Sequence, residues 1–598
     1  SAAIYGARAA NGVILVTTKT GKSGQLNISY HGNTQIQQAT RMPDFVTNSA
    51  DFMSLWNQVR VRRGLTEHFT QGEIDAFRNN VGNPNYPNTD WLDLMVHSAT
   101  AQNHHLSVNG GNEKTRYNFG LGYFDQDGII DGHDYQKYDL RLNVNSKIND
   151  VVSFGANVGA SQRNITEPSL VDDDLILIIY AAGPNYSPYL PDGSGNYVSR
   201  YNSRAGHNRN PVSLTKEGGH KESIYALNAQ AFLNINLTPN LIWHTKGAIN
   251  FDHSFYKSHN YSVPHYRFSD GEFEHDGWPV NKGVYDSNNT SVLTTLYSTL
   301  EFTKTFGRDH NFKLLGAYNQ ESYFSRYLQG GRLDFPTPSI KEINAGSTEG
   351  QYVRGSASEW AIQSLFGRVN YDYKGKYLIE AVARYDGTSR IHEDTRWGVF
   401  PSVSAGWRLS EEAFMKDRNW LDNLKFRASW GQLGNQNIGL YPYQELMSLT
   451  GYPYSSTVQQ GAYVSRLTDK NLKWETTTTL NFGLDLSIQN GLFSATADWF
   501  NKETTDILYG AVIPASVGLS APTINYAAMK NKGFEIDLGH RNNIGELNYS
   551  VNVNWSTYNN EVTKVRTPSY GSTTIQEGLP WNSFYMIEWI GIFQDEAD

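Results

Sequence analysis

The sequence predicts an all-β protein, a large transmembrane antiparallel β-barrel. Two patterns carry this prediction: long segments in which apolar and polar residues alternate, and connections that alternate between short and long. One absence agrees with it. In 598 residues, no apolar run approaches the ~18 residues of a membrane-spanning helix, and the longest such run covers 175–182. A membrane barrel remains open because its strands alternate and never form long apolar runs.

The composition excludes several other classes of protein. The chain has 37 Tyr, 27 Phe and 14 Trp but no Cys, and its formal net charge is −9. So many aromatic residues argue against disorder. The lack of cysteine excludes a disulfide framework, a thiolate metal site and a cysteine nucleophile. The acidic balance supplies no overall basic field for nucleic acid.

The strands are predicted from a period of two residues. From Arg116 onward, for example, Tyr117, Phe119 and Leu121 alternate with smaller or polar residues. Seventeen such segments can be counted, with one apolar, aromatic face and one face of Asn, Ser, Thr, Gly, Asp and Arg. They lie near 24–37, 100–109, 115–125, 136–146, 151–162, 223–237, 241–254, 291–306, 311–324, 360–373, 377–386, 397–409, 424–434, 474–488, 492–503, 531–540 and 546–560.

A soluble array of β-sandwiches is the main structural alternative. Sandwich strands are typically ~5–6 residues long, whereas most of the predicted segments run to about 10–16 residues. Aromatic residues also gather near the segment ends, as the girdles at the two membrane interfaces of a barrel require. These are Trp243, Tyr373, Tyr377, Trp407, Trp430, Trp499 and Trp555.

The connections favour the barrel because tight hairpins alternate with long loops, as in outer-membrane proteins. The short turns are 110–114, 146–150, 238–240, 307–311, 373–376, 489–491 and 541–545, with 410–423 as a longer exception. The long excursions are 38–99, 163–222, 255–290, 325–359, 435–473 and 504–530. The first contains predicted helical patches at 49–62 and 72–79, which are candidate partner-docking surfaces.

An odd number of strands poses a physical problem. Bacterial single-chain barrels have an even number, and an open edge in lipid would leave backbone groups unpaired. We therefore expect further strands after Asp598 to close the barrel, and a natural N-terminus that precedes Ser1.

The first twenty residues carry the most specific motif. Residues 1–22 read SAAIYGARAANGVILVTTKTGK, which predicts a small-residue helix that turns at Gly6 and a strand over 13–19. Placed just before the first barrel strand, the pattern Tyr5-Gly6-x-Arg8-Ala9-x-Asn11-Gly12 resembles the end of the plug domain in TonB-dependent outer-membrane transporters of the SusC/RagA branch.

Four further segments support the same resemblance. They are residues 384–390 (RYDGTSR), 397–407 (WGVFPSVSAGW), 472–476 (LKWET) and 531–535 (NKGFE). The resemblance implies a 22-strand barrel with a plugged lumen, of which about 17 strands are present. It assigns residues 1–22 to the end of the plug domain and 23–598 to an incomplete barrel with long extracellular loops. The plug-motif positions are Tyr5, Gly6, Asn11 and Gly12.

A latch between plug and barrel is expected from charge. Alternation along 474–488 and 531–540 points Glu475 and Glu535 into the lumen, where shielded carboxylates need cationic partners. Arg8 is the natural candidate because its guanidinium can bind carboxylates bidentately. The resemblance implies the same set: a plug arginine, Arg8, held by Glu475 and Glu535. Ordinary solvated lumen charges are the alternative.

The chemistry of an enzyme is not predicted, and neither a cofactor nor a metal is expected. His104 and His105 are adjacent and face opposite ways, and the histidines of loop 255–290 lack a ligand spacing. Residues 125–134 begin like a calcium loop but place Gln136 where a bidentate Glu is needed. A short extracellular hairpin loop is the better interpretation there.

Ligand contact is expected in the long loops. Loop 183–211 mixes aromatic, amide and Arg side chains, which suits sugars or peptides, although a polar loop packed on its neighbours would have the same composition. The candidate ligand residues are Tyr186, Tyr189, Tyr197, Arg200, Tyr201 and Arg204.

The resemblance implies active import of a nutrient across the bacterial outer membrane, with an oligosaccharide favoured over a peptide. The implied partners are a SusD-like surface lipoprotein, the TonB energy-transduction complex (whose docking segment is missing from this sequence) and outer-membrane lipids, with no nucleic acid. The alternatives are a passive porin-type channel and an outer-membrane binding protein or adhesin. The substrate and the oligomeric state cannot be read from the sequence.

Overall fold

The computed structural model of the chain describes residues 4, 6, 12–169, 172–199, 210–277, 282–416, 418–454, 456–566 and 568–591. The helices are α1 (Ser49–Arg62), α2 (Gln71–Asn79), α3 (Trp91–Met95), α4 (Asp172–Ala181) and α5 (Pro211–Leu214). The strands are β1 (Gly24–Gln37), β2 (Ala99–Gly111), β3 (Thr115–Asp127), β4 (Asp134–Lys147), β5 (Val152–Pro168), β6 (Tyr197–Val198), β7 (Gly218–Thr238), β8 (Leu241–Asn260), β9 (Pro264–Tyr266), β10 (Phe273–Asp276), β11 (Gly283–Phe306), β12 (His310–Leu333), β13 (Tyr352–Tyr373), β14 (Tyr377–Thr388), β15 (Trp397–Arg408), β16 (Leu421–Asn435), β17 (Met447–Tyr454), β18 (Thr457–Val464), β19 (Glu475–Ile488), β20 (Phe493–Gly510), β21 (Thr523–Ile544), β22 (Leu547–Lys564), β23 (Ser569–Tyr570), β24 (Thr573–Ile575) and β25 (Ser583–Phe584).

Seventeen of these strands form one antiparallel sheet, which confirms the predicted fold class. Leaving out the short loop strands, each strand pairs with the next along the chain, from the β1–β2 pair to the β21–β22 pair. Over the part of the chain that the structure describes, β1 pairs with β2 alone and β22 with β21 alone. That later strands close this sheet stays a prediction.

The register aligns aromatic and polar side chains in one row across neighbouring strands of the outer face. His104 stacks on Tyr30 and on Tyr123, and Tyr123 contacts Tyr138 at a centroid distance of 5.2 Å. Further pairing continues the row through Gln162, Tyr225 and His253. The adjacent row is apolar and consists of Leu106, Leu121, Leu140, Ala160, Leu227 and Phe251. An aromatic row beside an apolar band is the arrangement of a membrane-interface girdle.

Apart from the last one, the short turns lie close to their predicted positions. In the three-residue connection between β13 and β14, Lys374 and Gly375 have positive φ (59° and 67°), as the central residues of a type I′ turn do. The exceptional turn 410–423 is held by Glu412, which accepts hydrogen bonds from the Tyr377 hydroxyl at 2.7 Å, from Lys376 Nζ at 3.0 Å and from Trp407 Nε1 at 3.1 Å. These bonds stabilise the carboxylate and hold the pKa of Glu412 at about 2.

The long loops build two small cores of their own. The predicted helices at 49–62 and 72–79 are confirmed as α1 and α2, which pack around Met53, Phe69 and Phe77. Thr70 and Glu73 start α2 with a capping box. A second core, here named the loop core, joins α3, α4, α5 and the loop that follows α4. Its buried residues are Trp91, Leu92, Met95, Leu175, Ile178, Ile179, Tyr186, Leu190, Val198, Leu214 and Phe268.

Three local predictions are corrected. Residues 12–23 form no strand, so the predicted strand over 13–19 is wrong. The last predicted turn lies later than 541–545, because β21 runs to Ile544. Several strands extend well beyond the predicted segments: 311–324 covers only the first part of β12, which has 24 residues and continues to Leu333. None of the described helices is long and apolar enough to cross a membrane.

Adjacent residues of β19 provide a test of which face contacts lipid. Phe482 stacks on Trp499 and its side chain is half exposed on the outer face, whereas alternation turns Asn481 into the lumen. In the full-length protein, Phe482→Arg should destabilise the barrel by about 2–4 kcal/mol, the cost of a cation facing the bilayer centre. Asn481→Arg should cost much less.

The measurement is reversible unfolding in lipid vesicles, followed by the heat-dependent shift in gel migration that folded barrels show. Equal destabilisation by the two substitutions would contradict the assigned faces.

Candidate functional site: the lumen wall, the N-terminal segment and the loops

The lumen wall is braced by one arginine that spans three strands. Arg427 donates two hydrogen bonds to Asp485 (both 2.9 Å) and two to Asp498 (3.1 and 3.0 Å). Gly483 lies between them in the register, and a Cβ there would be 2.5 Å from the guanidinium carbon and from an Asp498 oxygen. The glycine therefore makes room for the charge network. Paired carboxylates on both sides compensate the desolvated cation.

A cavity of about 870 Å³ is lined by residues of β11–β16 and β19. Its charged lining residues are Lys313, Arg368, Asp372, Glu380, Lys425 and Arg427. Lys313 is paired with Glu301 at 2.8 Å. This charged lining is the polar interior expected of a barrel that carries water or another polar body in its lumen.

The N-terminal segment, here defined as residues 4, 6 and 12–23, contacts the wall at two places. Ile4 packs against the buried cluster of Leu315, Ala317 and Phe366. At the other end, Asn143 Nδ2 donates to the Lys19 carbonyl at 2.7 Å, and Asn109 bonds the backbone on both sides of Gly21.

The plug-motif positions are only partly described. Gly6 and Gly12 have left-handed backbone angles (φ 78° and 104°), as turns of this kind require. Tyr5, Arg8 and Asn11 lie outside the described residues, so the latch through Arg8 stays a prediction.

The register separates the two latch glutamates. Glu475 begins β19 and accepts a hydrogen bond from Asn435 Nδ2 at 3.0 Å. The next residue, Thr476, pairs with Thr505, whereas Glu535 pairs with Asp498 on the same strand, β20. Seven residues separate these partners, about 24 Å along the strand. A single arginine side chain is too short to contact both carboxylates in this arrangement.

Two barrel residues matter here that the sequence did not single out. Arg384, within the RYDGTSR segment, donates from Nη1 to the Ile4 carbonyl at 2.8 Å and from Nη2 to Asp386 at 3.0 Å. The side chains of Arg384 and Asp386 are 4% and 1% exposed. The sequence did hold a signal for this pair: Arg384 and Asp386 are charged, lie two residues apart on a predicted strand, and therefore face the same side.

The candidate ligand loop is described in part. Tyr186 is fully buried in the loop core against Trp91, so in this structure it packs the loop and offers no surface to a ligand. Tyr189 is exposed and Tyr197 is partly buried, and their rings lie 5.2 Å apart. Arg200, Tyr201 and Arg204 lie outside the described residues.

Next to the loop core lies a buried polar cluster of His265, Ser213 and Glu217. The spacing of these residues in the sequence did not predict it. His265 Nδ1 donates to the Val263 carbonyl at 3.1 Å, so Nε2 accepts from the Ser213 hydroxyl at 2.8 Å. Glu217 lies 3.8 Å from the same ring, and both it and Ser213 are fully buried. Within the described residues, no group of three or more His, Asp or Glu side chains is placed to hold a metal ion.

An exposed hairpin, β17–β18, extends from the loop between β16 and β19. Its apolar side chains are largely uncovered: Leu449 is 70% exposed, Tyr454 70% and Val458 74%. Exposed apolar patches of this kind mark sites of protein–protein contact.

A lipid-facing apolar band, an aromatic girdle, a polar lumen and long loops at one end define an integral protein of the bacterial outer membrane. The sequence model described as "TonB dependent receptor-like, beta-barrel" matches residues 161–584. The chain belongs to that family, and it is of the SusC/RagA type.

Relatives and solved structures agree with this assignment. The chain is 27% identical over 599 residues to the TonB-dependent receptor SusC of Bacteroides thetaiotaomicron, covering 94% of this chain and 55% of SusC. It is 27% identical over 610 residues to the TonB-dependent receptor P39 of Formosa agariphila, covering 100% of this chain and 55% of P39. The chain thus spans about half the length of the curated relatives it matches.

A solved structure, the RagAB peptide transporter, superposes with a TM-score of 0.85 at 22% identity, covering 99% of this chain and 68% of that one. This likeness confirms the fold.

The His265 cluster should make the loops sensitive to acid. Burial, with His275 stacked on the ring, lowers the pKa of His265 to about 4, and Asp276 and Glu274 oppose this only partly. An unfolded histidine has a pKa near ~6.5, so the unfolded loop binds the proton first. The stabilising contribution is complete above pH ~6.5 and is lost as the pH falls toward about 4, with an upper size on the order of 3 kcal/mol.

Hydrogen exchange of 210–217 and 264–276 should therefore accelerate between pH 7 and pH 4.5, after correction for intrinsic rates. His265→Gln keeps an acceptor for Ser213 and should abolish this pH dependence. Exchange that does not change with pH in the unaltered protein would contradict the assignment.

Proposed function

We propose that the protein is the barrel part of a TonB-dependent importer that takes up an oligosaccharide, or as second choice a peptide, through the outer membrane. The observation that carries the proposal is the N-terminal segment docked on the lumen wall at Arg384 and at Asn109 and Asn143. A passive pore needs a clear lumen, whereas a segment held across a polar lumen suits a plug. On this proposal residues 1–22 are the end of the plug domain.

The substrate class is supported by loop chemistry. The Tyr189–Tyr197 pair presents aromatic surface beside polar groups at the loop end of the barrel, and rings of this kind stack on the C–H faces of sugars. Peptides remain the second candidate because the same residues also bind peptide side chains, and RagAB, whose fold this chain shares, is described as a peptide transporter.

A surface lipoprotein of the SusD type is the proposed partner. The β17–β18 hairpin exposes Leu449, Tyr454 and Val458 on the loop side of the barrel. Covering them would remove apolar surface from water, which is the main driving force of protein association. The TonB complex on the periplasmic side would supply the energy.

Uptake by the full-length protein in living cells tests this proposal. Accumulation of labelled oligosaccharides or peptides should depend on the protein and should stop when an uncoupler collapses the proton gradient. A porin would continue to pass solute, because diffusion needs no gradient across the inner membrane. Uptake that resists the uncoupler would overturn active import.

The latch between Arg8 and the barrel glutamates remains part of the proposal, with the register as a new constraint. Glu475 lies one residue beyond Thr476, so it is offset from Glu535 by eight register positions, about 27 Å along the strands. Arg8 is therefore expected to engage one of them at a time.

Glu475→Ala and Glu535→Ala, made separately in the full-length protein, should show which one holds the plug. The affected variant should admit bulky antibiotics that the unaltered protein excludes, measured as a several-fold fall in the inhibitory concentration. If both single variants and their combination exclude the antibiotics as before, the latch is wrong.

A further inference from the structure

Ile4 and Gly6 are held by a barrel side chain that is itself fixed. Arg384 uses Nη1 for the Ile4 carbonyl (2.8 Å), and its Nε and Nη2 for the two oxygens of Asp386 (3.3 and 3.0 Å). Its guanidinium also lies 4.3 Å from the centre of the Phe366 ring. Asp386 and Phe366 thus orient Arg384 before the segment arrives.

The N-terminal segment is hydrogen-bonded to a buried charged side chain, that of Arg384. Arg384 is 4% exposed, so water has little access to any of its donors. With the segment docked, the bond from Nη1 to the Ile4 carbonyl is a charge-assisted hydrogen bond made away from water. The bond to Ile4 is therefore stronger than a hydrogen bond at an exposed surface.

Gly6 fits this contact only because it is a glycine. Its φ is 78°, in the left-handed region. A Cβ at this position would lie 2.5 Å from Arg384 Nη2 and 2.9 Å from the guanidinium carbon. Any other residue would have to push away a guanidinium that Asp386 holds in place.

The remainder of the segment is attached differently. Ile14 is 93% exposed and Val16 77%, so the barrel wall of this chain does not pack on the middle of the segment. At the far end, the backbone around Gly21 lies against Tyr117 and continues directly into β1, which is paired with β2. Release at that end would strain the first barrel strand, whereas release at Ile4 and Gly6 breaks one local contact.

We infer that Arg384, oriented by Asp386, is a positioning residue of the barrel that retains the segment at Ile4 and Gly6, and that this contact opens when the lumen opens. The inference rests on the proposed function for the opening step, but the retention can be measured without transport.

Retention is tested by labelling a single cysteine; residues 1–598 contain none, and any cysteine elsewhere in the full-length protein is first replaced by serine. In the full-length protein purified without TonB, Ile4→Cys should react slowly with a maleimide because it packs on the lumen wall. Adding Arg384→Met should raise the reaction rate roughly tenfold, as expected for loss of one hydrogen bond to a charged group. Arg384→Lys should give an intermediate rate, because it keeps the charge but not the planar fork.

Arg427→Gln is the matched control. It also removes an arginine braced by lumen-wall aspartates, but Arg427 makes no described contact with the segment. Labelling of Ile4→Cys should stay unchanged in this variant, and gel migration before and after heating verifies that each barrel is folded. An unchanged rate in Arg384→Met, or an equal rise in Arg427→Gln, would overturn the retention role.

Opening is tested by linking Ile4→Cys to Ala317→Cys with a short cleavable cross-linker. Gradient-dependent uptake should stop when the link forms and return when it is cleaved. Uptake that continues through the intact link overturns the opening step. If labelling responds as expected but uptake ignores the proton gradient, retention stands and the proposed function fails.

Discussion

Backbone hydrogen bonding is the constraint from which the rest of this structure follows. In a bilayer no water is available to satisfy amide and carbonyl groups, so each strand must pair along its length with a neighbour. The pairs from β1–β2 to β21–β22 do this with few register shifts. Once the register is set, every second side chain must face lipid and the others must face the lumen. The aromatic rows and the charged interior are both consequences of that division.

The two arginines of the lumen wall are compensated mainly by carboxylates and a carbonyl at fixed positions, and less by water. Arg427 is surrounded by Asp485 and Asp498, and Arg384 by Asp386 and the Ile4 carbonyl. In both places a glycine without a side chain leaves room for the guanidinium. The two networks differ in what completes them. The first is closed within the wall, whereas the second is completed by the N-terminal segment.

The loops are stable for a different reason. The loops lie outside the membrane, where apolar side chains cannot be placed against lipid. They bury these side chains in small cores of their own, around Met53 and around Tyr186. The His265 cluster then ties the loop after β8 to α5. Such an arrangement keeps the loop end of the barrel ordered while leaving the Tyr189–Tyr197 pair and the β17–β18 hairpin at the surface.

Much of the fold could be predicted because alternation is a property of consecutive residues. All seventeen segments are strands of the sheet, and α1 and α2 begin and end within one residue of the prediction. The errors arise where alternation has no lipid to define it. Beyond the predicted segments the alternation fades: 283–290 of β11 is mostly polar on both faces, and 325–333 of β12 mixes polar and apolar residues on both. The predicted strand at 13–19 fails because a strand needs a partner, and no described residue pairs with it.

The sequence by itself determined which residues could face lipid, where the chain turns back, and the family to which the barrel belongs. These properties depend on neighbours in the chain. Only the tertiary structure decided which distant residues meet: Arg384 with Ile4 across 380 positions, Ser213 with His265, and Arg427 with Asp498. It also showed that Tyr186 is buried and that Glu475 and Glu535 are far apart. These contacts depend on strand register and barrel curvature, which arise from many pairings at once and leave no local pattern in the sequence.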